Sequence, residues 1–319
     1  MSNLKHTFSK NTIGFQSFED CSVFPLDDDT YLIQSVDFFT PIVDDPFTFG
    51  RIAAVNSISD IYAMGGAPLY ALNIAEFPSD KLPLKVLSSI LEGGLMGAKE
   101  AGIPILGGHT IKDSVPKYGL VVTGKVNKND LTLNSTALPG DDLIITKPIG
   151  TGIISTAIKE NKADSIIIDS SINVMEHLNK GAALAMNKVG VSACTDITGY
   201  GFLGHLNEMC AASNVSANID FNEVPFINGV SDLAKKHFIP GGTKRNLEFI
   251  SDKICFKHSI QKYQKLMLAD AQTSGGLLIS LPKNKTQDLI HLLNKNKCLS
   301  SAKIGHITTP KEKRIYILN

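Results

Sequence analysis

No stretch of this 319-residue chain approaches the ~20 apolar residues that a membrane-spanning helix needs, and the polar N-terminus has no signal-peptide core. There is no charge excess either. The 31 Lys and Arg balance 31 Asp and Glu, so no net field draws in nucleic acid or an anionic membrane. The five cysteines, at 21, 194, 210, 255 and 298, are odd in number and form no CxxC pair. That excludes a disulfide framework and a cysteine zinc site, and it reads as reduced thiols of a cytoplasmic protein. His109 and His205 have no companion at metal-ligand spacing, so each reads as a hydrogen-bonding histidine rather than a zinc ligand. Low-complexity tracts, long charge runs, internal repeats and the GxxxxGK[ST] phosphate loop are all missing. What remains is a soluble intracellular protein of two domains or one large one.

The most informative stretch runs from Arg51 to Gly66. Asn56 and Asp60 are spaced i, i+4, so a helix carries them one above the other on one face. Ile52, Val55, Ile58 and Tyr62 fill most of the circumference, Gly65-Gly66 supplies a stop and Pro68 prevents continuation. Two readings of Asp60 stand side by side. Either it lies in a partly dry place, where an ionised carboxylate needs a cation or several donors, or it is a surface residue facing water.

Around that helix the periodicity gives strands at Cys21 to Phe24, Tyr31 to Phe39, Leu69 to Phe77, Ile103 to Leu106 and Tyr118 to Val126, and a helix from Leu84 to Ala101. This is an α+β half. The pattern restarts at Leu138-Pro-Gly-Asp-Asp142, which divides the chain into residues 1–138 and 139–319. The second half reads as strands at Leu143 to Thr146, Ser192 to Thr195, Ser216 to Asp220 and Leu277 to Leu281, closed by a last helix and two short strands. A single helix is expected from about Ile172 to Val189, another reaches Ala212, and Pro240 to Asn246 reads as a basic loop.

Two constellations carry chemistry. Gly199-Tyr-Gly201-Phe-Leu-Gly204 matches GxGxxG after a strand, with Asp220 about twenty residues on, as a dinucleotide fingerprint requires. Against it, the flanking elements lack a parallel βαβ rhythm, and Asp196 would repel a pyrophosphate unless a metal lay between. The second constellation is Asp20, Asp37, Asp60 and Asp196, each beside apolar, glycine or threonine residues near an element end. Such carboxylates suit Mg²⁺ bridging nucleotide phosphates, or serve singly as helix caps and turn residues. Glycine turns at 107–110, 199–204, 241–242 and 275–276 offer backbone N–H groups to phosphate oxygens.

Taken in order, Val36-Asp-Phe-Phe39 with Pro41-Ile-Val-Asp44, Asn56-Ser-Ile-Ser-Asp-Ile-Tyr-Ala-Met-Gly-Gly66, Gly107-Gly-His-Thr110, Lys147-Pro-Ile-Gly150, Thr195-Asp-Ile-Thr-Gly-Tyr-Gly-Phe-Leu-Gly-His205 and Gln272-Thr-Ser-Gly-Gly276 closely resemble the selenophosphate synthetases, or selenide, water dikinases. The resemblance runs from about Asp20 to the end. It implies the two-domain α+β fold of aminoimidazole ribonucleotide synthetase, with N-domain strands of two subunits joined in a barrel. It also implies a phosphotransferase that turns ATP, selenide and water into selenophosphate, AMP and phosphate with Mg²⁺. By motif, Asp20, Asp60 and Asp196 are the implied metal ligands. The implied nucleotide contacts are Ser17, Phe18, Glu19, Asp37 and Asp60, with Gly108, His109 and Thr110 reaching into the partner's site of a homodimer.

One expectation is negative. The resemblance implies, ahead of Asp20, a glycine-rich segment with a Cys or selenocysteine nucleophile and a Lys three residues later. No Cys precedes Cys21, and Lys5 and Lys10 lack that glycine context. Cys21 itself reads as a packing residue. The expectation is therefore a chain with impaired selenide chemistry, or a non-catalytic ATP-binding paralogue acting as a dimer.

Overall fold

The computed structural model of the chain describes residues 12–14 and 19–319, so the implied contacts Ser17 and Phe18 lie outside the described residues. The chain forms two compact units. The first comprises residues up to Leu131 together with Glu176–Lys180, and the second Thr132–Met175 and Gly181–Asn319.

In the first unit the order is β1 (Ser22–Pro25), β2 (Thr30–Phe39), α1 (Pro46–Ala63), β3 (Ala67–Phe77), α2 (Leu84–Ala101), β4 (Ile105–Lys112) and β5 (Lys117–Asn127). The strands make one sheet in the order β1-β2-β5-β3-β4, antiparallel except for the β3/β4 pair. Along β2, Ile33 and Ser35 are buried while Gln34 and Val36 are exposed, the period of two that a sheet with one covered face imposes. The cover is helical. α1 begins where Asp45 accepts from Thr48 N and Pro46 takes the first helical position. It ends in a Schellman turn, with Gly65 at φ 75°, Gly65 N bonded to Tyr62 O (3.1 Å) and Gly66 N to Ile61 O (2.9 Å).

α1 is buried almost all round, so it cannot be an ordinary amphipathic surface helix. Ile52, Ile58 and Ile61 are wholly buried, each stabilising by roughly 1.5–3 kcal/mol. Its backbone lies against that of α2. A Cβ added at Gly50 would overlap the Ile90 carbonyl, and one at Gly93 the Phe47 carbonyl, so this contact exists only because those positions lack side chains.

The second unit contains β6 (Asp141–Ile145), α3 (Thr151–Lys159), α4 (Ser165–Glu176), α5 (Lys180–Val189), β7 (Ala193–Asp196), α6 (Gly201–Ala212), β8 (Ser216–Asp220), α7 (Val230–Lys235), α8 (Gly241–Ile250), β9 (Ile254–Phe256), α9 (Lys262–Leu268), β10 (Leu277–Pro282), α10 (Thr286–Lys295), β11 (Ala302–Thr308) and β12 (Ile315–Leu318). Its seven-stranded sheet runs β7-β10-β6-β11-β8-β12-β9, with parallel pairing only on either side of β12. Leu143, Phe202, Leu206, Ile219 and Ile317 are among the residues of its core. Residues 132–140 fold with this unit: Leu133 O accepts from Cys194 N (3.1 Å) and Ala137 N donates to Ser213 Oγ (3.0 Å).

Several expectations about elements change. Gly107 to Thr110 is not a turn but the interior of β4, where Gly108 at φ 152° lets the backbone of Asn73 approach its Cα. The basic loop at 240–246 is mostly the first turns of α8, entered through Pro240. The helix expected from Ile172 to Val189 is two, broken at residues 177–179, where the chain turns aside to bind α1. The dinucleotide reading fails on topology, since among the described residues β7 is an edge strand antiparallel to its one neighbour, β10.

Gly50→Ala and Gly93→Ala should each lower stability by about 1–3 kcal/mol, because neither Cβ can be accommodated without separating two backbones. Gly199→Ala, whose Cβ meets nothing within 4 Å, should stay within about 0.5 kcal/mol of the parent. Denaturant midpoints of the three variants check this; equal losses would mean the helix contact is looser than described.

Candidate functional site

A cavity of about 810 Å³ opens in the first unit, lined by Glu19, Asp20, Cys21, Asp37 and Asp60 among others. Its size falls within the range of small-molecule sites. Residues 12–14 reach it through an antiparallel bridge in which Ile13 N donates to Val23 O (3.0 Å) and Val23 N to Ile13 O (2.8 Å). Asp20 lies just before β1 and Asp60 in the last turn of α1, and they offer carboxylate oxygens within 4.8 Å of one another. Two carboxylates that close repel unless a cation or proton lies between them. Both donors are hard oxygens, which suits Mg²⁺ or Ca²⁺ better than a thiolate- or imidazole-seeking metal.

α1 is tied to the sheet beside this cavity. Asn56 Nδ2 donates to Asp37 Oδ2 at 3.0 Å, which orients the Asp37 carboxylate. Ser57 Oγ accepts from Leu120 N (3.1 Å) and lies within reach of both Asp37 O (3.0 Å) and Ala53 O (2.9 Å), so one hydroxyl joins α1 to β2 and β5. Ser35 Oγ donates back to Ser57 O at 3.1 Å. Asp60 is thus half-buried on a cavity wall, between the two readings its sequence context left open. Cys21 is buried and its N–H points to Met64 Sδ (3.1 Å), the surroundings of a packing residue.

Gly108, His109 and Thr110 are not brought to this cavity. They are exposed on β4, at the edge of the sheet opposite β1, four strand spacings or roughly 19 Å away.

In the second unit Asp196 ends β7 and is buried. Near it lies Lys147, also wholly buried, whose Nζ donates to Ser274 O at 2.8 Å. Burial pushes the Lys147 ammonium down to about 7, and the negative charge of Asp196 opposes that. A Cβ on Gly276 would overlap the Lys147 backbone, so the Lys147-Pro-Ile-Gly150 and Gln272-Thr-Ser-Gly-Gly276 motifs interlock. Gln272 Oε1 accepts from Gly150 N (2.8 Å), Thr151 N (3.2 Å) and Thr151 Oγ1 (3.1 Å). Asp270 accepts from Gly152 N (3.1 Å), Ile153 N (3.1 Å), Thr243 Oγ1 (2.8 Å) and Gln272 Nε2 (3.1 Å). The N-terminus of α3 is therefore occupied by the protein's own acceptors. Sequence reasoning assigned Lys147, Asp270 and Gln272 no role, although each stands in or beside a glycine motif. His205 Nε2 accepts from Thr198 N at 3.1 Å, the hydrogen-bonding role its spacing indicated.

The chain matches the family model for AIR synthase related protein, N-terminal domain, over residues 18–126, and that for AIR synthase related protein, C-terminal domain, over 139–317. It is 45% identical over 315 residues to the selenide, water dikinase of Caldanaerobacter subterraneus subsp. tengcongensis, covering 98% of this chain and 91% of that protein. It is 46% identical over 306 residues to the selenide, water dikinase of Clostridioides difficile, covering 96% and 88%. Among solved structures it resembles thiamine-monophosphate kinase from Stenotrophomonas maltophilia K279a, with a TM-score of 0.71 at 14% identity over 97% of this chain and 91% of the other. It also resembles hydrogenase maturation protein HypE in complex with ATP, with a TM-score of 0.65 at 18% identity over 87% and 77%. At those identities the two structures speak for the fold, the two-domain α+β architecture of AIR synthase relatives.

Asp270 makes stability depend on pH. Burial pushes its carboxyl up to about 7, against the four donors, while an unfolded Asp titrates near 4. The folded state therefore holds a proton that the unfolded state has released, so this group's contribution is complete below about pH 4 and is lost as pH rises to 7. Asp270→Asn should remove a decline of up to ~1.4 kcal/mol per pH unit across that window. Urea midpoints of parent and variant between pH 4 and 8 measure the difference, and parallel curves would overturn the assignment.

Proposed function

We propose that this chain, which belongs to the selenide, water dikinase family, makes selenophosphate from ATP, selenide and water, with AMP and phosphate as the other products. The observation that carries the reading is the Asp20–Asp60 carboxylate pair, within 4.8 Å on the wall of an 810 Å³ cavity, in a chain of that ancestry. ATP is the phosphoryl donor and occupies this cavity. By motif, Asp20, Asp60 and Asp196 would hold Mg²⁺, which would supply charge withdrawal from the phosphate oxygens. Glu19 and Asp37 contact the nucleotide, as do Ser17 and Phe18 by motif. Asn56 holds the Asp37 carboxylate in one orientation, so that contact is made without reordering a side chain.

The same reading makes the active unit a homodimer. The sheet face opposite α1 and α2 presents Val36, Phe38 and Leu72 to solvent, and Val36, Val121 and Leu72 are in register across three strands. An apolar row of that kind on an uncovered face is a contact surface. The wide separation of Gly108, His109 and Thr110 from their own chain's cavity favours their serving the partner's, as an isologous pairing allows.

Selenide-dependent formation of AMP and selenophosphate by the purified chain tests the activity; ATP hydrolysis indifferent to selenide would contradict it. Asp60→Asn and Asp196→Asn should each weaken MgATP binding about tenfold, roughly 1.4 kcal/mol, by removing a charged oxygen ligand. Calorimetric titration measures this, and unchanged affinity in both variants would sink the metal assignment. Leu72→Asp, placing a charge in the apolar row but outside the lining of the cavity, should yield monomers that bind MgATP poorly. Sedimentation over a concentration series decides, and a tight-binding monomer contradicts the shared site.

A further inference from the structure

Residues 177–179 interrupt what the sequence writes as one continuous helix, and around the break Glu176, Asn179 and Lys180 each make a bond to α1 or α2. Arg51 Nη1 donates to Glu176 Oε2 at 2.8 Å, while its Nη2 reaches Glu100 at 3.0 Å. Asn179 Nδ2 donates to Ser59 Oγ at 2.8 Å, with both residues buried. Lys180 Nζ donates to Ala101 O at 3.2 Å, placing a cation on the C-terminal carbonyls of α2. From Arg51 to Ser59 is eight residues of helix, roughly 12 Å. From Glu176 to Asn179 is three residues, roughly 10 Å if extended. The anchors of the segment thus span about two turns of α1, and the cost of breaking a helix is offset by these bonds.

The placement of the bonds around α1 matters more than their number. Ser57 and Ser59 are two residues apart, so their side chains leave the helix roughly 200° apart, on opposite sides. Ser57 joins one side to β2 and β5, and Asn179 joins the other to the crossing segment. Asn56 and Asp60 project within roughly 40° of each other, between those two sides. The apolar contacts of α1 are non-directional and resist a small roll about its own axis only weakly, while the glycine contact with α2 limits a large one. Directional bonds on opposite sides do resist a roll. Because Asp60 lies off both, a small roll would swing its carboxylate relative to Asp20 on the strand side.

We infer that Asn179 is a positioning residue for the MgATP site, whose bond to Ser59 sets the roll of α1 and so the aim of Asp60. The inference rests on the reading that Asp60 holds the nucleotide's metal. Asn179 does not line the cavity; it acts through α1.

The test is calorimetric titration of the full-length chain with MgATP, comparing the parent with Asn179→Ala, Ser59→Ala, the double variant and Asp60→Asn. Each single removal of the bond should raise the MgATP dissociation constant about fivefold at unchanged stoichiometry, and the double variant should be no weaker than either single one. A merely structural role would lower the fraction of protein that binds and leave the dissociation constant of the remainder alone, which would overturn the inference. So would additive losses in the double variant. Should Asn179→Ala fail to fold, Ser59→Ala removes the same bond by deleting one hydroxyl within a helix and carries the comparison. Weakened binding in Asp60→Asn with parental affinity in both Asn179→Ala and Ser59→Ala overturns the inference alone, whereas parental affinity in Asp60→Asn overturns the reading beneath it.

Discussion

The first unit depends on one contact, the backbone-to-backbone approach of α1 and α2. Gly50 and Gly93 remove the side chains that would hold the two helices apart, so α1 sinks between α2 and the sheet until nearly all of its circumference is buried. A helix so enclosed can keep few polar groups, and most of those are bonded. Asn56, Ser57 and Ser59 each are, to Asp37, to the β2 and β5 backbones and to Asn179. Depth of burial thus turns ordinary polar residues into fixed points, and Asp60, one turn beyond Asn56, inherits a fixed position at the wall of the cavity.

The second unit uses a different device. Its glycine motifs are occupied by the protein's own side chains: Asp270 and Gln272 take the free N–H groups at the start of α3, and Lys147 is enclosed by the loop that ends at Gly276. Of these, only the turn at 275–276 reads in the sequence as a phosphate cradle. At α3, at least, an acidic side chain already fills the place an anion would take. The proposed metal ligand of this unit, Asp196 at the end of β7, lies near a lysine whose burial makes its charge costly and whose charged form that carboxylate favours.

The open sheet face links fold to assembly. A sheet covered on one side by helices is ordinarily polar on the other, yet Val36, Phe38 and Leu72 face solvent here. In the proposed homodimer a second copy of the same face would cover them, and Gly108 to Thr110 would serve the partner's cavity. Stability of the surface and completeness of the site would then have one cause.

Much of this was legible from residue order alone, for reasons of local physics. The Leu84 to Ala101 helix and the Ser216 to Asp220 strand lie at the residues their periodicity marks, because amphipathic spacing and short apolar runs are local signals. The stop at Gly65-Gly66 and the carboxylates Asp20, Asp37 and Asp60 were legible too, since a charge among apolar neighbours needs an explanation wherever it folds. Three things were decided only in space. Gly107-Gly108 reads as a turn until the Asn73 backbone lies against it in a parallel pair; residues 176–180 read as helix until their side chains find partners more than seventy residues away; and Gly199 to Gly204 reads as a dinucleotide loop until β7 pairs antiparallel at a sheet edge. In each case the local propensity was real but weak, and a long-range contact that no window of sequence contains outweighed it.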